Sequence, residues 1–300
     1  MIEVYRKTLK RIRPIHVMLH HIMTGAFIPA LERMKNFKTM PDDPFWFRLE
    51  LLTNRHEQET VAQFKRLITP GMTVLDVGAH VGYYARLLSQ LVGEEGRVIA
   101  FEPHPRTFDY LMKNVASLLN VITVQVAVAE AEGTAELYDY LMMSASGSLH
   151  YDPTLVDLQR SHATKDDIAP RLAQGLPVQT YTVRTMPIDM VLDELNITSV
   201  DLVKMDIEGA EMGALRGMKH TIKQSPNLQL IMEYNPVALR AFDNQPEEAL
   251  HEVLGMGFSH VSIIQKDGTL TDITGQQDII KTMTARLMDH MDVENLLFTK

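Results

Sequence analysis

The 300-residue chain contains no cysteine. This excludes a disulfide framework, any thiolate zinc or iron–sulfur site and any thiol nucleophile, and it fits a reducing compartment. The chain also lacks an uninterrupted apolar stretch long enough to span a bilayer. Internal repeats and low-complexity tracts are missing too. Positive charge is in deficit: the formal net charge of −9 argues against a generally basic nucleic-acid binder. The length suits one large or two modest domains with a real core. The expected location is the cytoplasm.

The charge that is present is unevenly spread. Residues 1–40 carry eight Lys/Arg against two acids, so +6 at the start opposes −15 in the remainder. The opening MIEVYRKTLKRIRP is basic like a signal n-region, but His16, His20 and His21 interrupt the apolar run after it and no convincing cleavage site appears. No signal peptide is expected. Ile12, Ile15, Leu19 and Ile22/Met23 recur at helical spacing among cations, a pattern suited to a membrane surface or a partner. Pro14 and Pro29 break a long interfacial helix, which favours packing on the rest of the chain or on a second copy in a homo-oligomer. His16 and His20 have the spacing of a metal pair but no third ligand. Residues 39–47, TMPDDPFWF, read as a junction, so 1–56 is taken as a basic helical segment and 57–300 as the main domain.

From residue 57 strand and helix alternate, which predicts an α/β fold with a parallel sheet. The expected strands are 73–79, 97–103, 121–129, 135–140, 178–186, 201–207, 227–234, 260–265 and 294–300. Helices are expected at 82–91, 105–119, in PIDMVLDEL, after residue 207 and at 246–257. Residues 141–178 are irregular and rich in Ser, Asp and Pro, long enough for a functional insertion near the active site. The nineteen methionines are adaptable core filling.

In a doubly wound sheet, ligands bind beyond the carboxyl ends of the strands. There the chain places D-V-G-A-H-V-G, with Asp76, Gly78 and Gly82, and Glu102 ends the second strand. A carboxylate at that second position accepts hydrogen bonds from a ribose diol, which implies a nucleoside-containing ligand. A dinucleotide would need G-x-G-x-x-G so that pyrophosphate can rest on the helix N-terminus. His80 stands where the middle glycine belongs, and Asp76 repels phosphate. S-adenosylmethionine has no phosphate and carries an ammonium and a sulfonium, so it suits these residues better than NAD. The alternatives are a catalytically silent cofactor-binding or scaffold protein and an NAD-dependent oxidoreductase.

The segments V-L-D-V-G-A-H-V-G-Y-Y, V-I-A-F-E-P-H-P, D-L-V-K-M-D-I-E-G-A-E and L-I-M-E-Y together resemble the FkbM family of S-adenosylmethionine-dependent methyltransferases. The resemblance covers about residues 57–300. It implies a Rossmann-like class I fold, a seven-stranded mostly parallel sheet with an antiparallel last strand. It also implies O-methylation of a hydroxyl on a glycan, glycolipid or secondary metabolite. By the same resemblance, Asp76, Gly78 and Gly82 hold the methionine portion of the cofactor, and Ala79 and Tyr83 also bind the cofactor. Glu102 and Pro103 border the ribose, Ala127 and Val128 the adenine. In SASGSL (144–149), Ser146 and Ser148 are candidates for contacts with cofactor or acceptor.

Methylating an alcohol requires in-line displacement with removal of a proton. Asp206 at the carboxyl end of its strand is the first candidate base and also faces the cofactor; Glu233 is the second and His80 the third. Asp206 and Glu233 together would alternatively hold a divalent cation, as hard ions prefer oxygen ligands. Glu208 and Glu211 also complement a helix N-terminus, and Lys204 is a ready partner for Asp206.

Overall fold

The computed structural model describes residues 23–140, 144, 147–151, 153 and 178–300. The basic leader before residue 23, Ser146 and most of the 141–178 insertion lie outside the described residues. A short π-helical turn, Met23–Phe27, runs into α1 (Ile28–Lys35), followed by α2 (Phe45–Leu52) and α3 (Gln58–Leu67). The alternating region then gives β1 (Thr73–Val77), α4 (Tyr83–Val92), β2 (Arg97–Phe101), α5 (Pro105–Val115) and β3 (Val121–Val124). Pro105 occupies the first turn of α5, and the His104 ring caps it by accepting from the Thr107 N–H at 3.3 Å.

Here the chain leaves the main sheet. The apolar run 121–129 is two strands, because β4 (Ala127–Val128) pairs with β6 (Gln179–Met186) rather than continuing β3. With β5 (Gly133–Asp139) they form a separate sheet of three strands in the order β4-β6-β5. The chain returns through α6 (Ile188–Glu194) to β7 (Leu202–Met205). Two short helices, α7 (Glu211–Arg216) and α8 (Lys219–Gln224), occupy the stretch expected to be one. Then come β8 (Gln229–Tyr234), α9 (Pro236–Ala241), α10 (Pro246–Gly255), β9 (His260–Ile264), β10 (Leu270–Asp272), α11 (Gln277–His290) and β11 (Glu294–Thr299).

The main sheet runs β10-β9-β11-β8-β7-β1-β2-β3, with the last strand, β11, antiparallel to both β8 and β9. Seven strands match the expected arrangement. The short β10, paired antiparallel to β9, adds an eighth at the edge. Strand alternation divides the core between the two faces: Leu75, Val77, Val203 and Met205 enter one apolar cluster, Val74 and Leu202 the other. β2 and β7 flank β1. Strand order therefore reverses at β1, where a doubly wound sheet opens its crevice.

The segment before β1 is packed onto this frame. Ile28, Phe37, Met40, Phe45, Leu51 and Leu52 bury themselves with Val81. Thr39 donates to Glu32 through its N–H (2.9 Å) and its hydroxyl (2.6 Å), and Arg48 Nε donates to Thr39 Oγ1 at 2.8 Å. Asn114 in α5 ties the segment down, accepting from the Lys38 N–H at 2.6 Å and donating to the Lys38 carbonyl at 2.8 Å. Residues 28–56 thus share a core with the domain after them. Among the described residues, no helix is long and apolar enough to cross a membrane.

Candidate active site

A cavity of about 240 Å³ opens at the carboxyl ends of β1, β2 and β7. The turn after β1 builds its floor. Gly78 has φ +81, and a Cβ there would lie 2.0 Å from the Asp206 carbonyl oxygen, so only glycine fits this close approach. Its own carbonyl accepts from Lys204 Nζ at 3.0 Å. His80 also adopts left-handed backbone, φ +51, uncommon outside glycine. Its N–H donates to Glu102 Oε2 at 3.0 Å, while the His104 N–H donates to Glu102 Oε1 at 2.9 Å. Two backbone amides therefore fix the Glu102 carboxylate, leaving further lone pairs for a diol.

Asp76 and Lys204 are register partners on adjacent strands. Asp76 is fully buried, and Lys204 Nζ stands 3.8 Å from its Oδ1. Burial pushes Asp76 up to about 6 against the pull of Lys204. Glu102 is likewise raised by burial, to about 7. Lys204 also lies 3.4 Å from Asp206 Oδ2. Burial alone would lower its ammonium, but the Asp206 and Asp76 carboxylates outweigh that and raise it. A buried carboxylate behind a turn that admits close approach adds negative charge beneath the cavity floor, balanced in part by Lys204.

The remaining acids divide by role. Glu211 Oε1 accepts from the N–H groups of Ile207 (3.0 Å) and Gly209 (3.2 Å), so it organises the loop between β7 and α7, and burial raises it to about 7. Glu233 lines the cavity, and burial followed by repulsion from Asp206, Glu208 and Glu211 raises it well above the ordinary carboxylate range. Glu208 is raised for similar reasons. The Asp206 side chain is about one-third exposed and lines the cavity. Among the described residues, no group of three or more His, Asp or Glu has an arrangement that would hold a metal ion.

Gly78, Ala79, His80, Tyr83, Glu102, Pro103, Ala127, Val128, Asp206 and Glu233 all line the cavity. Asp76 lies behind the turn rather than on the wall, and Gly82 forms the turn's far side, packed against Leu111. Ser148 is near, its hydroxyl 3.4 Å from the Glu208 carbonyl.

Residues given no site role in the sequence analysis complete the wall. Phe47, Leu51, His56 and Glu57 reach it from the segment around α2, and Tyr84 and His104 from α4 and the loop before α5. Tyr84 donates to Glu57 Oε2 at 2.6 Å, and its ring lies 5.3 Å from Lys204 Nζ. Ser144 enters from the insertion. For Ser144 the serine-rich run is a usable signal; for Phe47 and Glu57 the sequence carries none.

An acid-backed glycine turn at the sheet's reversal point, with an amide-held carboxylate on the next strand, is the arrangement expected of the class I methyltransferase fold. The family model described as the methyltransferase FkbM domain matches residues 76–260, and the chain belongs to that family.

Relatives include the hexuronic acid methyltransferase AglP of Haloferax volcanii, 25% identical over 59% of this chain and 62% of that one. Methyltransferase 1 of Beauveria bassiana is 28% identical over 48% of this chain and 57% of its own length. The 2-O-methyltransferase NoeI of Sinorhizobium fredii is 25% identical over 52% and 61%. The chain thus spans about three fifths of the length of these relatives.

Proposed function

We propose that the protein transfers the methyl group of S-adenosylmethionine to a hydroxyl oxygen of a sugar, glycan or small metabolite. The observation that carries this reading is the convergence on one cavity of the Gly78 turn, backed by Asp76, with the amide-held Glu102 and the Asp206 carboxylate. Asp76 and Asp206 offer negative charge to an ammonium and a sulfonium, and Glu102 offers acceptors to a ribose diol. The aromatic and acidic wall of Phe47, His56, Glu57 and Tyr84 suits a polyhydroxylated acceptor, in keeping with relatives named for hexuronic acid and 2-O methylation.

Three wall residues compete for the acceptor's proton. Burial, with repulsion from Asp206, Glu208 and Glu211, raises Glu233 and so disfavours its ionised form in the ligand-free state. Asp206 is shared with Lys204. Burial, reinforced by Lys204, His56 and His104, lowers the His80 imidazole to about 3, so it stays neutral with an open lone pair.

The test is methyl transfer from tritiated S-adenosylmethionine to a panel of hexuronate and neutral hexose glycosides, with calorimetry of cofactor binding alongside. Alkali-stable label in the sugar is expected, since an ether survives base and a carboxyl ester does not. Cofactor binding with no transfer to any hydroxyl acceptor would instead favour the silent scaffold.

A further inference from the structure

Three remote parts of the chain meet behind His80. Asp43 comes from the loop before α2, Ser144 from the insertion and His80 from the glycine turn. Ser144 is clamped on Asp43: its N–H donates to Oδ1 and its hydroxyl to Oδ2, both at 2.7 Å. On its other side, Ser144 Oγ lies 2.5 Å from His80 Nε2. A serine hydroxyl has a single proton. Spent on Asp43, that proton leaves Oγ able only to accept, so Nε2 must carry the hydrogen it shares with Oγ. The tautomer is thereby set, and Nδ1 is left as a lone pair with no partner among the described residues.

We infer that Asp43 and Ser144 are positioning residues that hold His80 as its Nε2–H tautomer, so that Nδ1 takes the proton of the acceptor hydroxyl during methyl transfer. This rests on the methyltransferase reading above. In the step, the hydroxyl oxygen forms the new C–O bond as the C–S bond breaks and its electron pair passes to sulfur, giving S-adenosylhomocysteine. The hydroxyl proton moves to Nδ1, and the imidazolium later releases it to solvent.

A weak base suffices for this role. The protonated ether that develops as the C–O bond forms is a far stronger acid than any imidazolium, so transfer to Nδ1 runs downhill. The buried Asp43 carboxylate, one hydroxyl away, offsets the charge that the ring acquires, in the manner of an orienting acid behind a catalytic histidine. Asp43 is raised by burial to about 6 and is therefore ionised, as the relay requires, at neutral pH and above. His80 touches the reacting atoms; Ser144 and Asp43 act through it.

The tautomer is readable without cofactor or acceptor, which separates failure of the relay from failure of the methyltransferase reading. The full chain carrying ¹⁵N-histidine is studied by long-range ¹H–¹⁵N correlation at pH 7.5, with His80 assigned through His80→Gln. One protonated Nε2 and one bare Nδ1 are expected. Ser144→Ala should shift the ring towards a mixture of tautomers, and Ser144→Thr, which keeps the hydroxyl, should restore the single form. A Nδ1–H or charged ring in the wild type, or an unchanged ring in Ser144→Ala, would overturn the relay. With a methyl hexuronoside as probe, Ser144→Ala should lower kcat by roughly a hundredfold, the scale of general-base assistance. The KM for S-adenosylmethionine should stay within about twofold on that same reading. Equal kcat in wild type and Ser144→Ala would remove the base from His80.

Discussion

The Asp206 carbonyl oxygen occupies the space that a side chain on Gly78 would need, 2.0 Å from the ideal Cβ position. β1 and β7, already paired through their backbones lower down, thus come into direct contact again at the cavity floor. Gly78→Ala must both push β7 away and adopt φ +81. It should lower stability by more than about 1 kcal/mol and abolish measurable cofactor binding. Urea unfolding and calorimetry check the two halves.

Glu102 serves two amide donors at once. Glu102→Gln has one acceptor oxygen and turns an NH₂ group towards the other amide, so it should fail nearly as badly as Glu102→Ala. Either change loses charge-assisted bonds of about 1.5–3 kcal/mol each. Affinity for S-adenosylmethionine should fall roughly a hundredfold, and unchanged affinity in calorimetry would remove the ribose assignment.

Among the described residues, Lys204 is the sole ammonium within 4 Å of both Asp76 and Asp206, and it also donates to the Gly78 carbonyl. Lys204→Met keeps the bulk but leaves buried negative charge uncompensated, at a cost of about 3–5 kcal/mol. The variant should lose most of its stability at pH 8 and recover part of it at pH 5.5, where Asp76 picks up a proton. Thermal melts at the two values test this.

The pH dependence of the ligand-free protein should run against the usual acid sensitivity. Glu102 and Glu211 are raised to about 7 in the folded chain, so the native state holds protons that the unfolded state has lost. Stability then falls as pH rises through 7. His80, lowered by burial to about 3, acts oppositely, but its contribution is complete above the unfolded histidine value of about 6.5. Between pH 6.5 and 8.5 the melting temperature should therefore drop. Saturating S-adenosylmethionine, a cation that favours the ionised acids, should flatten the fall and bind more tightly at the higher pH. A melting temperature that rises across this window would contradict the raised acids.

Asp206→Asn distinguishes the two open bases. If His80 takes the proton, the asparagine variant should weaken cofactor binding, since Asp206 supplies charge, while its rate at saturating cofactor stays within about tenfold of wild type. A rate loss of the size that general-base catalysis supplies, roughly a hundredfold or more, with cofactor affinity retained, would return the role to Asp206.

Much of this molecule is local and therefore written in the chain itself. Alternating apolar residues place β1, β2, β7 and β8 to within a few residues, and Gly78, Asp76 and Glu102 declare themselves by breaker and charge signals at strand ends. The amphipathic repeat Ile280, Met283, Thr284 and Leu287, all buried in α11, is equally local, although no helix was expected there. Other features depend on long-range pairing that no window of sequence contains. The run 121–129 divides between two sheets because Ala127 and Val128 find Thr185 and Met186 as partners. Phe47 and Glu57 join the cavity because α1 and α2 fold back onto Val81. The serine-rich run points to Ser146 and Ser148, yet it is Ser144 that meets His80, 64 residues away, with Asp43 101 residues away on its other side. Periodicity, turn chemistry and charge fix what a segment becomes; only packing decides which distant segments share a hydrogen bond.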